Sequence, residues 1–110
     1  MRRWSMRLSH EEVNVLRKLK KAMEQLNAEE LKAFSYIWDN ISVGEILFER
    51  EMTTRYGIEK PYLVARSLRE KNLIERGEGC YNLATWLKPL RKKIKYFTEL
   101  IRLIERYSFI

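Results

Sequence analysis

The sequence predicts a mainly α-helical protein with one small β-hairpin, an arrangement of the α+β class. Over most of the chain, apolar residues recur every three or four positions, as they do on the buried face of a helix. One stretch departs from this spacing, where two short β-prone runs flank Gly77-Glu78-Gly79. The length of 110 residues and the hydrophobic fraction of 45% suit a single domain with one core.

Two capping signatures place the first two helices. Ser9 and Glu12 form a capping box, which predicts a first helix over His10–Gln25. Asn27 and Glu30 repeat the signature, so a second helix is expected to begin at once. We expect the buried stripe of the second helix to contain Leu31, Phe34, Ile37, Trp38 and Ile41.

Two further helices follow a break at Ser42-Val43-Gly44-Glu45, where Ser42 is a candidate N-cap. The third helix is predicted over Ile46–Tyr56, and Gly57 suits the left-handed position that ends it. Pro61 suits the first turn of a fourth helix, which is predicted to reach Lys71.

The hairpin and a long terminal helix complete the chain. Asn72 ends the fourth helix, and the strands of the hairpin are predicted over 73–76 and 80–83. Pro89 is expected to open a last helix that continues to Tyr107.

Residues 46–83 resemble the winged helix-turn-helix family of DNA-binding proteins. The shared features are a short helix, a turn with Gly57, a second helix, and Leu73-Ile74 entering a two-stranded wing. Asn72 stands where this family normally has Gly in the passage from helix to wing. The resemblance implies a winged helix-turn-helix flanked by N- and C-terminal helices, as in small prokaryotic, archaeal and viral regulators. The implied parts of one domain are an N-terminal helix (1–27), a winged-helix core (28–86) and a C-terminal dimerisation helix (87–110).

The resemblance makes the fourth helix the recognition helix, which lies in the major groove of DNA. At about 100° per residue, its inward side carries Pro61, Val64, Ala65 and Leu68. Its outward side carries Tyr62, Leu63, Arg66 and Glu70. Arg66 suits the O6 and N7 atoms of guanine. The candidate DNA contacts are Thr53, Thr54, Arg55, Lys60, Tyr62, Leu63, Arg66, Ser67, Arg69 and Arg76.

The net charge of +7 favours a polyanionic partner, but the charge is unevenly distributed. The two ends of the chain are basic, whereas residues 26–59 are net acidic. Leu63 and Glu70 are also unusual on a surface that reads DNA. The main hypothesis is therefore a sequence-specific double-stranded-DNA regulator. Two alternatives stay open: a protein–protein adaptor or accessory subunit of a transcription or replication complex, and an architectural DNA-binding protein without sequence preference.

The terminal helix suggests assembly, because its apolar positions form two stripes. One stripe has heptad spacing, and the second stripe contains Tyr96, Leu100, Leu103 and Tyr107. We expect a homodimer whose interface contains Leu90, Ile94, Phe97, Leu100, Ile101 and Ile104. The alternative is that the first helix covers one stripe within a monomer. The polar face of the terminal helix offers additional phosphate contacts at Lys88, Arg91, Lys92 and Lys95, together with Arg2, Arg3 and Arg7.

No set of residues indicates catalysis, a cofactor or a metal. His10 is the only histidine and Cys80 the only cysteine, so neither a zinc site nor an intramolecular disulfide is expected. There is no Gly-rich phosphate loop. The N-terminal residues lack the apolar segment of a signal peptide, and no run is long enough to span a membrane, so we expect an intracellular, cytoplasmic protein.

Overall fold

The computed structural model describes residues 8–107, which form six α-helices and a three-stranded antiparallel sheet. The predicted class, mainly α with a small β part, is confirmed. The helices are α1 (His10–Met23), α2 (Ala28–Asp39), α3 (Glu45–Tyr56), α4 (Pro61–Glu70), α5 (Lys88–Lys93) and α6 (Phe97–Arg106). The strands are β1 (Val43–Gly44), β2 (Ile74–Arg76) and β3 (Cys80–Leu83), and a 3-10 turn covers Thr85–Leu87. The expected phosphate contacts Arg2, Arg3 and Arg7 lie outside the described residues.

Both predicted capping boxes are present. The Ser9 hydroxyl accepts the Glu12 N–H at 3.1 Å, and the Glu12 carboxylate accepts the Ser9 N–H at 2.7 Å. Asn27 and Glu30 exchange the equivalent bonds at 2.8 and 2.9 Å. These local bonds satisfy backbone donors that the first turn of each helix leaves free. The starts of α1 and α2 therefore agree with the prediction.

Two residues in left-handed conformation end α3 and α4. Gly57 has φ 67° and Asn72 has φ 60°. After α4, the Leu73 N–H donates to the Leu68 carbonyl at 3.0 Å, and the Asn72 N–H donates to the Arg69 carbonyl at 2.9 Å. These two bonds form a Schellman motif with Asn72 at C′. Asn72 thus ends α4, as the sequence predicted, at the position where the winged helix-turn-helix family normally has Gly.

The sheet contains one strand more than predicted. Its order is β1-β3-β2, and Val43 of β1 pairs with Tyr81 of the central strand. Ser42 is not the N-cap of α3, because it adopts φ 65° and turns the chain into β1. Gly44 is the N-cap instead, without a side-chain bond, and α3 begins at Glu45. A two-residue strand has too few positions to show a periodic pattern, so it could not be predicted from the spacing of apolar residues.

The core of the molecule is built around α2. Phe34, Ile37 and Trp38 are fully buried, as predicted. The prediction is wrong for Leu31 and Ile41, which are 36% and 38% exposed. Leu31 lies at the margin of the stripe, and Ile41 follows the end of α2 at Asp39. Ala33 and Glu30 are buried on α2 instead.

The predicted continuous terminal helix is broken between α5 and α6. Ile94 has the extended backbone angles φ −123° and ψ 95°. Two groups from the end of α2 compensate the break: the Trp38 indole N–H donates to the Ile94 carbonyl at 3.0 Å, and the Asp39 carboxylate accepts the Phe97 N–H at 2.8 Å. Such long-range bonds cannot be inferred from the spacing of apolar residues along one segment.

The residues of the expected dimer interface pack largely within their own chain. Four of its six residues, Leu90, Ile94, Phe97 and Leu100, are buried in the core of the same chain. The other two, Ile101 and Ile104, are partly buried against that core. This differs from the prediction, because α1 and α2 already cover these side chains and leave little of them for a second copy. Homodimer formation itself stays a prediction.

Within residues 8–107, every helix is too short or too polar to cross a lipid bilayer.

Replacement of Asn72 tests the left-handed end of α4. We expect Asn72→Ala to lower the free energy of unfolding by about 1 kcal/mol, because an alanine Cβ is strained at this backbone angle. Asn72→Gly is the matched control and should be neutral or slightly stabilising. Urea unfolding followed by circular dichroism measures both variants. An alanine variant as stable as the wild type would contradict this account of the turn.

Candidate functional site

The outward side of α4 is exposed as the sequence predicted. Pro61, Ala65 and Leu68 are buried and anchor the helix to the core. On the opposite side, Tyr62 is 52% exposed and Leu63 is 43% exposed. We call the group formed by Tyr62, Leu63, Arg66 and Glu70 the α4 face.

A buried carboxylate fixes α4 against α2. Glu30 is 4% exposed, and it accepts hydrogen bonds from the Lys71 ammonium at 2.7 Å and from the Ser67 hydroxyl. It also caps Asn27 at the start of its own helix. The sequence proposed Ser67 as a DNA contact, but in the structure its hydroxyl hydrogen is donated to Glu30. We call Asn27, Glu30, Ser67 and Lys71 the Glu30 cluster.

The ionisation of Glu30 is favoured by this cluster. Burial by itself raises the pKa of the carboxyl, but the hydrogen bonds from Lys71, Ser67 and Asn27 outweigh burial. The net result is a pKa below the ordinary value. The side chain is therefore a carboxylate at neutral pH and holds the orientation of α4 by charge-assisted bonds.

Two arginines of the predicted DNA surface lie beside carboxylates. The Arg66 Nε is 3.6 Å from the Glu70 carboxylate, and both side chains are about two-thirds exposed, at 64% and 68%. The Arg55 guanidinium lies 3.0 Å from the Glu51 carboxylate. A phosphate that approached either arginine would meet a negative charge within one helical turn. The field of this surface is thus weaker than its arginines alone would produce.

The positive charge of Arg76, on the second strand, is likewise balanced by a carboxylate. Arg76 donates to the Glu45 carboxylate at 2.9 Å, and this hydrogen bond raises the pKa of Arg76. Two other predicted contacts, Lys60 and Arg69, are exposed, and no carboxylate in the described part of the chain lies within ion-pair distance of them. The predicted DNA surface thus retains only scattered positive charge.

Two predicted hydroxyl contacts are also engaged within α3 and its end. The Thr53 hydroxyl donates to the Ile58 carbonyl at 3.0 Å, and the Thr54 hydroxyl donates to the Arg50 carbonyl at 2.7 Å. Each hydroxyl has one hydrogen, so neither can donate to a phosphate while these bonds persist. This differs from the predicted role of both threonines, and the predicted set of DNA contacts as a whole stays a prediction.

A second apolar surface, which the sequence analysis missed, lies at the start of α3. Ile46 is 78% exposed, Leu47 is 47% exposed, and Ile41, just before β1, is 38% exposed. We call these three residues the α3 tip. The missed signal was the helical spacing: α3 buries Phe48 and Met52, and Ile46 lies about 200° from Phe48 on the helix. Contiguous exposed apolar side chains are typical of protein-binding surfaces, and these three residues lie within seven positions of the chain.

A shallow groove between α1 and α6 has a volume of ≈ 270 Å³. Its apolar lining contains Val13, Leu16, Ile104 and Tyr107. The volume is below the range of about 300–1,000 Å³ that is usual for small-molecule sites. Nor does the described chain contain a group of three or more His, Cys, Asp or Glu side chains suited to a metal ion.

Comparison with known families gives one match within this region. The model of the family described as PBP2: PolB1 Binding Protein 2 matches residues 27–89, which is more than half of the chain. The matched residues run from α2 to the start of α5 and include the Glu30 cluster, the α4 face and the α3 tip. A comparison with curated proteins gives no match.

The Glu30 cluster predicts an acid-sensitive component of stability. The pKa of Glu30 is lower in the folded chain than the value of about 4.3 expected in the unfolded chain. The contribution of Glu30 to the free energy of unfolding is therefore complete at a pH above its pKa in the unfolded chain. It is lost as the pH falls through its pKa in the folded chain. At pH 7, Glu30→Gln should lower the free energy of unfolding by about 1–2 kcal/mol, because Lys71 loses a charged acceptor.

The control for this prediction is Glu29→Gln, which removes an exposed carboxylate from the same first turn of α2. It should change stability by less than about 0.5 kcal/mol. Urea unfolding at pH 7 and pH 3 measures the difference. We expect the Glu30 variant to approach the wild type at the lower pH; a constant difference at both values would exclude the carboxylate as the cause.

Proposed function

The chain belongs to the PolB1 Binding Protein 2 family, and from this premise we propose that it is a non-catalytic accessory subunit of a DNA polymerase complex that binds PolB1. The match to the family model carries the proposal, because the family is described by its binding partner. This function corresponds to the adaptor alternative of the sequence analysis. It differs from the main hypothesis of a DNA-binding regulator.

The distribution of exposed apolar side chains supports a protein partner. Among residues 8–107, most of the large exposed apolar residues lie between positions 27 and 89, and Ile46 is the most exposed of them at 78%. A single exposed isoleucine is ordinary, but the α3 tip places three aliphatic side chains within seven positions of the chain. Burial of such a group against a partner would supply the apolar centre of an interface.

The charges around these surfaces also suit a protein partner. Arg66 pairs with Glu70 on the α4 face, and Arg76 pairs with Glu45 beside the α3 tip. Paired charges of both signs are typical of the polar rim of an interface. A regulator that binds DNA would need unpaired cations at these positions, because phosphate contacts supply most of the non-specific affinity. The regulator hypothesis therefore has less support than the adaptor hypothesis.

We place the main contact at the α3 tip. The α4 face has only two apolar side chains, and they share the surface with the exposed Arg66–Glu70 pair. The α3 tip has three, and its neighbour Glu45 is fixed by Arg76 and is only 17% exposed. The α3 tip thus has more exposed apolar side chains than the α4 face, and its neighbouring ion pair is less exposed than the Arg66–Glu70 pair.

Binding of the full chain to purified PolB1 tests this function. We expect the double substitution Ile46→Ser/Leu47→Ser to weaken binding by about tenfold or more, as removal of central apolar contacts does in other interfaces. The matched control is Tyr96→Ser, which alters a 60% exposed aromatic residue outside the matched region and should leave binding unchanged. Calorimetric titration measures the affinity, and circular dichroism verifies that each variant is folded.

A third variant, Tyr62→Ser/Leu63→Ser, separates the two surfaces. If it alone loses binding, the interface lies on the α4 face rather than at the α3 tip. If the wild-type chain fails to bind PolB1 at micromolar concentration, the proposed function is wrong.

A further inference from the structure

The cations of α5 fall into two groups. Leu87 and Leu90 face the core and are fully buried, and Lys88 and Lys92 lie on the opposite, exposed side of the short helix. Arg91 and Lys93 lie between these two sides. The Arg91 Nε donates to the Trp38 carbonyl at 2.9 Å, and the Lys93 ammonium lies 2.8 Å from the Glu12 carboxylate. The lateral cations therefore hold α5 against α2 and α1, and the outward ones do not take part in this packing.

The outward cations retain much of their positive field. Lys88, Lys92 and Lys95 are exposed, and no carboxylate within residues 8–107 forms an ion pair with them. Lys88 does have a negative neighbour: the pKa of Glu75 is lowered mainly by hydrogen bonds from Thr85, and Lys88 adds a smaller Coulomb effect. These three lysines thus form no ion pair within the described residues, whereas Arg55, Arg66 and Arg76 each pair with a carboxylate.

The break between α5 and α6 adds an exposed aromatic ring to these lysines. Tyr96 precedes α6 in an extended conformation, with φ −112° and ψ 138°, and is 60% exposed. None of the ring–ring contacts of the described chain includes it. In an unbroken helix Tyr96 would lie one turn before the buried Leu100, on the same stripe. The break therefore places the ring on the surface, next to Lys95 in the chain.

We propose that Lys88, Lys92, Lys95 and Tyr96 form a contact surface for single-stranded nucleic acid. Proteins that bind single strands combine cations along the phosphate backbone with aromatic rings on which the bases stack. Both components are present here, on one short stretch of chain. Lys92, Lys95 and Tyr96 follow residue 89, so this surface is largely independent of the family match and of the proposed contact with PolB1.

The exposed ring favours a single strand over a duplex. Bases within a duplex are stacked on each other, so they offer no free face to Tyr96 without unstacking. A single strand offers unpaired bases between phosphates that the lysines can contact. Duplex DNA would contact only the lysines, through its phosphates.

Fluorescence anisotropy with a labelled oligothymidylate of about 16 nucleotides tests this surface on the full chain. Three lysine–phosphate contacts predict that the logarithm of the binding constant falls with the logarithm of the salt concentration, with a slope of about −2. The triple variant Lys88→Gln/Lys92→Gln/Lys95→Gln should bring this slope close to zero and weaken binding at low salt by about tenfold or more.

The control triple Lys60→Gln/Arg66→Gln/Arg69→Gln removes the same net charge from the surface that the sequence assigned to DNA. We expect it to change the affinity by less than about threefold. Equal losses in both triples would mean that only the total charge matters, and a loss confined to the control triple would place the contact on α4. Either result would overturn the proposal.

Tyr96 provides the test of stacking. Tyr96→Ala should weaken binding of the single strand by about tenfold, and Tyr96→Phe should retain it, because stacking requires the ring and not the hydroxyl. A duplex of the same length should bind more weakly and be insensitive to Tyr96→Ala. No binding by the wild type at low salt, or an alanine variant with wild-type affinity, would overturn the proposal.

These outcomes are separable from those for PolB1. The Ile46→Ser/Leu47→Ser variant should bind the oligonucleotide normally. The triple variant Lys88→Gln/Lys92→Gln/Lys95→Gln should bind PolB1 normally. A negative result for binding of PolB1 would therefore not contradict the proposed binding of a single strand, and the reverse also holds.

Discussion

Trp38 donates its indole N–H to the Ile94 carbonyl at 3.0 Å, and its ring is completely buried. A buried indole N–H without an acceptor would cost about 1–3 kcal/mol, so this bond fixes where the C-terminal segment can lie. The same end of α2 supplies the Asp39 carboxylate to the first turn of α6 and the Trp38 carbonyl to Arg91. One helix end thus positions both α5 and α6.

The aromatic packing around Trp38 depends on that arrangement. Phe97 packs edge-on against Phe34 and Trp38, with ring centroids 5.8 and 6.4 Å apart. In a continuous helix through residues 94–96, the Ile94 carbonyl and the Phe97 N–H would bond within the helix and not to Trp38 and Asp39. The direction of α6 would then be different. Ile94 and Phe97 lie on either side of the break, and both are buried in the core. The break brings Tyr96 to the surface.

Local pairing of charges, more than the net charge of +7, determines the character of each surface. On α3, α4 and the wing, arginines lie beside glutamates, and the exposed groups that remain most distinctive there are apolar. On α5, the carboxylate of Glu12 is taken by Lys93, and the outward lysines remain unpaired within the described chain. The matched family region and the α5 segment thus differ in chemistry, which fits a chain that binds a protein through one surface and a polyanion through another.

Local interactions made much of this fold predictable from the sequence. Two kinds of feature involve residues only a few positions apart: the capping boxes at Ser9 and Asn27, and the left-handed ends at Gly57 and Asn72. They can therefore be predicted from the local sequence. The division of α4 into buried and exposed sides follows from helical spacing for the same reason. These features gave the order of the elements and the exposed position of the α4 face.

Which surfaces are exposed depends on contacts between distant parts of the chain. Three interactions join residues 36 or more positions apart: the indole bond from Trp38 to Ile94, the contact of the Glu30 carboxylate with α4, and the pairing of β1 with β3. Bonds over such distances depend on how the helices pack, and packing is set by the whole core. The local sequence was sufficient to predict where α1, α2 and α4 begin, and which residues end α3 and α4. The packed core decided that the terminal helix breaks, that its apolar stripe is covered within one chain, and that Ile46 and Tyr96 are exposed.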